Sequence, residues 1–459
     1  VSPSSSIDRR PLLVGHLFLL AVVFTALAMG AGRAHAQYVG TATSGAATAD
    51  GASAFNNPAA MNAGDESMVE LDVGAAFLNA SLAPADGGPA SNASPIGPTL
   101  TLGGYTAAIH PDWRIGATVT IPGTQGGQWD PEDGAGDITR YYMNDGALFH
   151  ISMVPAVSWS PIDWLSIGVG ANVSYGNMSI EVDKDLGAQL NQLAGSTAID
   201  SPFPYADPAL AAPVTGGADG WGIGAVGGLF VRPIDELGFG VSVHSPVTIN
   251  GKGSLSVDYP QSLVDFVDGT LPGTTLPDLN GNFDLDLSLP WRLGAGVSVY
   301  PLPNFEVGLN YVYENTSSMP NFNLVITEAS SDTIENTTKP QAYMDRHRVQ
   351  LRAAYLPVEQ LRVVVFGSFQ SNIVPDLTMA PNNIDFDRWE IGLAARWHII
   401  DEFSVFLQYS HIFLPDRNIT ESLHRPVTQP SLVHFNHPSP TGTYSASADS
   451  LRVGLGLHL

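Results

Sequence analysis

The stretch FDLDLSLPWRLGAGVSVY, residues 283–300, divides its residues by parity. The odd positions are Phe283, Leu285, Leu287, Leu289, Trp291, Leu293, Ala295, Val297 and Val299, and the even ones are Asp284, Asp286, Ser288, Pro290, Arg292, Gly294, Gly296, Ser298 and Tyr300. A period of two held this long describes a strand with one apolar face and one polar or small face. The same division recurs at His347–Tyr355, where Val349, Leu351, Ala353 and Tyr355 oppose Arg348, Gln350 and Arg352. It recurs at Trp389–Ile399, where Ile391, Leu393, Ala395 and Trp397 oppose Glu390, Gly392, Arg396 and His398.

Working outward, about fourteen such segments lie near 67–80, 99–109, 112–121, 148–159, 163–178, 221–231, 236–257, 283–300, 303–315, 345–356, 360–371, 386–399, 402–414 and 446–459. Their connections alternate in length. Six are tight and polar, at HPDWRIGATV (from His110), PIDWLSIGVG (Pro161), PIDELGFGVS (Pro233), PLPNFEVGLN (Pro301), PVEQLRVVVF (Pro357) and IIDEFSVFLQ (Ile399). The other seven are long and rich in Gly, Pro, Asn and Asp. An even number of alternating strands, with short turns on one side and long loops on the other, is the pattern of a transmembrane β-barrel. A soluble sandwich or propeller would also alternate, but leaves the short and long connections unexplained. The expected fold is therefore all-β, a 14-stranded antiparallel barrel spanning residues 67–459.

Composition agrees and excludes other classes. The 459 residues hold no cysteine, which removes thiol catalysis, disulfides and zinc-thiolate sites. With 19 basic against 44 acidic residues, a nucleic-acid partner is excluded on electrostatic grounds. The first 36 residues read as a cleaved secretory signal: Arg9 and Arg10 precede an apolar run from Leu12 to Ala28, and Ala34-His35-Ala36 supplies a small-x-small site before Gln37. No later stretch reaches 18 uninterrupted apolar residues, so no helical span follows the signal.

Between signal and barrel, residues 37–66 include GAATADGASAFNNPAAMNAG (45–64), dominated by small residues and without alternation. With its Asn57, Pro58, Ala59 triplet, this segment resembles the hatch of the FadL-type family of outer-membrane transporters for long-chain fatty acids and other hydrophobic compounds. The resemblance continues at DWRIGATVTIPG (112–123), similar to the family's third strand, at HSPVTINGKGSLSV (244–257), and at GTYSASADSLRVGLGLHL (442–459), similar to its closing strand. It implies a monomeric barrel plugged by a small N-terminal hatch inside the lumen, with no cofactor, no metal and no chemical step. Apolar substrates would be captured by long loops, pass to a pocket beside the hatch, and leave sideways through a kink in the third strand into outer-membrane lipid. Gly116, Pro122 and Gly123 are the candidates for that kink, because Gly tolerates irregular backbone and Pro removes a ladder donor. One departure is Leu459, where such barrels end on an aromatic residue, which bears on recognition by the barrel assembly machinery.

Inward parity collects Arg292, Arg346, Arg348, Arg352, Arg388, Arg396 and Arg452. A substrate carboxylate is one partner for them. Ion pairing to hatch carboxylates (Asp50, Asp65, Glu66), or to Asp284, Asp286 and Glu390 as lumenal residues, is the other, because unpaired charge in a dry lumen is costly. In loop 186–214, Leu186, Leu190 and Leu193 at helical spacing, followed by Phe203 and Tyr205, form a candidate capture patch. Asp130, Glu132, Asp133 and Asp137 could bind a divalent ion bridging lipopolysaccharide, but lack calcium-loop spacing and read better as a solvated loop. His434 and His437 form half a metal site at most. His244 and Ser245 are adjacent on a strand and point to opposite faces, which argues against a hydrolytic dyad. An open porin, or a structural or surface-receptor barrel, is the alternative function.

Overall fold

The computed structural model describes residues 39–64, 66–130, 138–185, 207–270, 278–319, 321–330, 337–339, 341–424 and 440–459. Among the described residues, nineteen runs of strand form a single sheet. Joined across short interruptions, they make fourteen staves: β1 (Met68–Pro84), β2 (Ile96–His110, with the short piece Ser91–Ala93), β3 (Trp113–Asp130), β4 (Asp145–Ile162), β5 (Leu165–Asp185), β6 (Ala211–Ile234), β7 (Leu237–His244 and Val247–Val257), β8 (Leu279–Leu289 and Arg292–Leu302), β9 (Phe305–Glu314 and Phe322–Ala329), β10 (Arg346–Val358, preceded by Thr337–Lys339), β11 (Leu361–Gln370), β12 (Arg388–Ile400), β13 (Phe403–Ile419) and β14 (Gly442–His458). Every neighbouring pair is antiparallel, and β1 pairs with β14 from Met68–His458 to Pro84–Gly442. That seam closes the ring of strands.

All six expected tight turns are present. Each is two residues long: 111–112, 163–164, 235–236, 303–304, 359–360 and 401–402. Stacked Trp113 and Trp159 (5.8 Å) mark the interface beside these turns, and Tyr175–Trp221 (5.0 Å), Trp291–Tyr313 (5.1 Å) and Phe369–Trp389 (4.6 Å) mark the opposite one. Between these girdles the outward residues are apolar, with Val169, Ile223, Val241, Leu309, Leu351, Ile391 and Leu407 all exposed.

The parity of β7 and β8 does not run unbroken, contrary to the expectation for 236–257 and 283–300. In β7, Ser242 and His244 are buried below Ser245-Pro246, whereas Val247 and Ile249 are buried above it. In β8, Gly294, Gly296 and Ser298 are buried below Pro290-Trp291, whereas Phe283 and Leu285 are buried above it. Proline has no ladder N–H, and across the break the pairing of β7 with β6 steps by one residue, from Val226–His244 to Trp221–Asn250, which turns its other face inward. Asp284 and Asp286 consequently face outward and are exposed, so they are not lumenal.

The amino-terminal segment, residues 39–64, contains a helical turn, α1 (Ser53–Asn56), and a 3-10 turn (Pro58–Ala63). Its polar contacts reach β1, β2, β3, β4, β6, β7, β8, β9, β10 and β13, which is possible only from within the ring.

Candidate functional site

Small residues let the segment lie directly on the wall. A Cβ at Gly240 would collide with the Ala46 carbonyl, and one at Gly103 with the Gly51 carbonyl. Asn57 is fully buried and fastens the segment to itself and to β6. Its Nδ2 donates to the carbonyls of Ala46 (2.6 Å) and Leu229 (3.0 Å), and its Oδ1 accepts from the Ala59 N–H (3.1 Å). Pro58 follows as the first residue of the 3-10 turn, where a missing N–H has no consequence, and Ala59 is fully buried. Most remaining fastenings are neutral: Thr118 donates to Gly51 O (2.8 Å), Ser242 to Asn56 O (2.6 Å) and Gln350 to Ala42 O (3.2 Å), while Gln408 accepts from Ala42 N–H (3.0 Å).

The inward arginines pair chiefly with carboxylates of the wall and its connections. Arg352 donates to Glu306 (2.7 Å), which Arg362 also contacts. Arg396 pairs with Glu70, and Arg452 with Asp72. Arg346 bonds Glu314 (3.1 Å) and lies 3.7 Å from Asp385, to which Arg388 donates (3.0 Å). Of the expected partners in this segment, Asp50 and Glu66 form no ion pair with these arginines among the described residues. Asp50 Oδ1 accepts from the Ala52 N–H (2.9 Å), Glu66 is exposed, and Asp65 lies outside the described residues. Two links still join charge to the segment: Glu70 accepts from the Gly51 N–H (2.6 Å), and Arg352 donates to Thr48 Oγ1 (3.0 Å). Glu390 accepts from Ser368 (3.0 Å) and Ser410 (2.7 Å) instead of an arginine. Arg348 is half-buried on β10 and borders a small void that Arg292 also lines.

Above the segment is a cavity of about 370 Å³. Phe55 forms part of its floor, and Leu148, Met178, Leu285 and Leu287 part of its wall. The connection 371–387 folds inward and lines it with Ile373, Val374 and Ile384. That connection is a missed element of the site. Its Val374, Met379 and Phe386 are buried with Leu82, Trp129 and Tyr444, and the Trp129 indole donates to Pro381 O (2.9 Å). Its apolar residues were the available signal, because a surface loop has no need of them. The cavity has one polar side, where His150, His244, Arg292, Glu314, Arg346 and Asp385 converge. Arg292 lies over the Phe55 ring (5.3 Å), and His244 packs on the same ring (4.8 Å). His244 is 5% exposed and its Nε2 has no hydrogen-bond partner among the described residues.

One wall of the cavity is interrupted in β3. From Trp113 to Thr120 this strand pairs with β2, ending at Thr101–Thr120. The register to β4 then shifts between Thr120 and Gly123, and the strand pairs with β4 alone until Ala93–Trp129 and Asn92–Asp130 rejoin it to the piece preceding β2. Meanwhile β2 above Thr101 pairs only with β1. A window results between Ile96–Leu100 and 121–128, and Pro95, Pro122, Gly123, Gly126 and Trp129 line both it and the cavity. Pro122 and Gly123 thus sit at the irregularity. Gly116 does not: it pairs regularly with Tyr105 and Ala156 and packs against Met61, so its lack of a side chain serves contact with the inner segment. Gly126, with φ +155°, is the position sequence reasoning missed. Leu186, Leu190, Leu193, Phe203 and Tyr205 lie outside the described residues, as do Glu132, Asp133, Asp137, His434 and His437.

Solved structures share this architecture. A Pseudomonas aeruginosa FadL homologue superposes with a TM-score of 0.74 at 18% identity, covering 90% of this chain and 95% of its own. The P. putida toluene transporter TodX gives 0.66 at 15% identity (91% and 96%), and the Ralstonia pickettii toluene transporter TbuX gives 0.61 at 14% (91% and 96%). None of the curated proteins matches this chain in sequence. The family model for outer membrane protein transport proteins (OMPP1/FadL/TodX) matches residues 18–448, and with nearly the whole barrel inside that span, the chain belongs to this outer-membrane transport family.

Proposed function

We propose that this protein passively transports hydrophobic small molecules across the outer membrane, with long-chain fatty acids as the leading substrate. The observation supporting this reading is the cavity: mainly apolar, closed below by residues 39–64, and bordered by a window in the barrel wall. Its volume lies in the range of small-molecule sites, and burying an alkyl chain there supplies the driving force for uptake. Exit through the window at Pro122–Gly126 would deliver the substrate to hydrocarbon without a second aqueous step. On this reading residues 39–64 are a hatch, residues 1–36 an export signal, and Leu186, Leu190, Leu193, Phe203 and Tyr205 an outer capture patch. Membrane lipid and lipopolysaccharide surround the barrel, and the assembly machinery inserts it.

The polar side of the cavity favours an acidic head group. A carboxylate at His244 Nε2 and Arg292 would engage a buried nitrogen that lacks a hydrogen-bond partner among the described residues and a cation already on the cavity surface. Monoaromatic hydrocarbons are the competing substrates, since two of the structurally similar proteins are toluene transporters. Displacement of a fluorescent long-chain fatty acid from the purified protein separates these cases. Oleate is expected to displace it saturably, Arg292→Met to weaken oleate about tenfold (~1.4 kcal/mol), and Ala147→Phe, which fills the cavity, to abolish binding while the barrel stays folded. Displacement by toluene alone would replace the fatty acid with a hydrocarbon, and no saturable binding of either would overturn the reading.

A further inference from the structure

The cavity borders a second interruption of the wall, remote from β3. The ladder between β7 and β8 runs from Leu237–Val299 up to His244–Arg292, resumes at Val247–Leu289, and omits Ser245-Pro246 and Pro290-Trp291 between. Both strands contribute a proline there, so the N–H groups at 246 and 290 that could bridge the gap are missing. The inward face changes parity on both strands at this place. Next to it β9 also leaves the sheet, through the 3-10 turn Thr316–Ser318. His244, Ser245, Val247, Leu289, Pro290 and Arg292 are all cavity-lining, so both rims of the interruption belong to the cavity.

Its height follows from strand geometry. From Leu302 at the tight turn to Trp291, about eleven residues rising ~3.3 Å each at a tilt near 45° span about 25 Å, the thickness of the apolar band. The interruption therefore lies at the outer edge of the hydrocarbon, level with the Trp291–Tyr313 pair. Below it the outward residues are apolar (Val241, Val243), and above it they are polar (Thr248, Asn250, Lys252, Asp284, Asp286). On neighbouring β6, Ile223 presents 72% of its surface to lipid.

We propose that this interruption is a second lateral mouth of the cavity, through which single-chain amphiphiles with an acidic head enter from the outer leaflet. The inference rests on the cavity reading above. An amphiphile in that leaflet holds its head at the level of the mouth and its chain below the interface. His244 and Arg292 on the lower rim meet the head, while Val247 and Leu289 on the upper rim offer an apolar path inward. Entry from lipid then needs no capture by the loops, and the mouth and the β3 window become two separate lipid-facing openings of one cavity.

The absence of cysteine permits a direct test. Ser245→Cys and Gly123→Cys variants, one for each opening, are placed in lipid vesicles and each is modified with a bulky apolar maleimide. The rate at which a fluorescent long-chain fatty acid passes from the bilayer into the cavity is measured, together with its equilibrium affinity. Modification at Ser245→Cys is expected to slow entry about tenfold or more. The unmodified variant Pro246→Val, which restores a ladder N–H at a residue outside the cavity lining, is expected to slow entry as well and leave affinity within about twofold. If neither slows entry, and only modification at Gly123→Cys does so, the second mouth is refuted and the cavity reading stands. If the unmodified protein binds no fatty acid at all, the cavity reading fails and the mouth with it.

Discussion

Asn57 shows how much of the inner segment rests on single side chains. Its carboxamide makes three hydrogen bonds in a fully buried setting, and Asn57→Ala orphans two carbonyls and one N–H. The expected cost is about 2–3 kcal/mol, at roughly 1 kcal/mol per bond. It should appear as faster amide exchange at 46–60, with the strand amides unchanged. Arg352 is the corresponding point in the charge network, its side chain fully covered and bonded to Glu306, Ser298 and Thr48. Arg352→Met removes one of two partners of a buried carboxylate and should cost about 3–5 kcal/mol, read as a lowered thermal unfolding midpoint. At this scale the sequence disclosed which arginines face inward, because parity alone decides that. It did not disclose their partners. Glu70, Asp72, Glu306 and Glu314 lie on other strands, and the pairing depends on strand neighbourhood and barrel closure, while the outward placement of Asp284 and Asp286 depends on the parity change at Pro290; a count of positions contains neither.

Among the elements, β3 makes the sharpest claim. Its ladder to β2 ends at Thr120, and Gly126 occupies a conformation that costs an L-residue strain of about 1–3 kcal/mol. Pro122→Val/Gly123→Val returns a ladder N–H and β propensity to the kink, and should narrow the window. Fatty-acid uptake by cells is then expected to fall about tenfold with the barrel still folded; unchanged uptake would remove this window from the route. The six two-residue turns and the existence of every stave were legible, since alternation and turn chemistry are local. The upper reaches were not. β5 continues to Asp185 and β6 begins at Ala211, beyond the segments expected at 163–178 and 221–231, because glycine-rich stretches such as TGGADG pair in the sheet without alternating. The inward connection 371–387 was missed for a related reason: its apolar residues have no period, and only the space above residues 39–64 gives them a place.

For the whole molecule, transport of an apolar solute requires two properties together: closure to water along the barrel axis and access to lipid through its side. On the proposed reading, residues 39–64, held by contacts to ten of the strands, would bear the first, and the cavity with its interruptions the second. The two can be separated experimentally by removing residues 45–64. Uptake of labelled oleate and of a small sugar is measured in a host lacking its own fatty-acid transporter, expressing either the intact protein or the shortened one. The intact protein is expected to take up oleate saturably and exclude the sugar, and the shortened one to admit the sugar. Sugar entry through the intact protein without oleate uptake would contradict a plugged hydrophobic transporter and leave an open porin in its place.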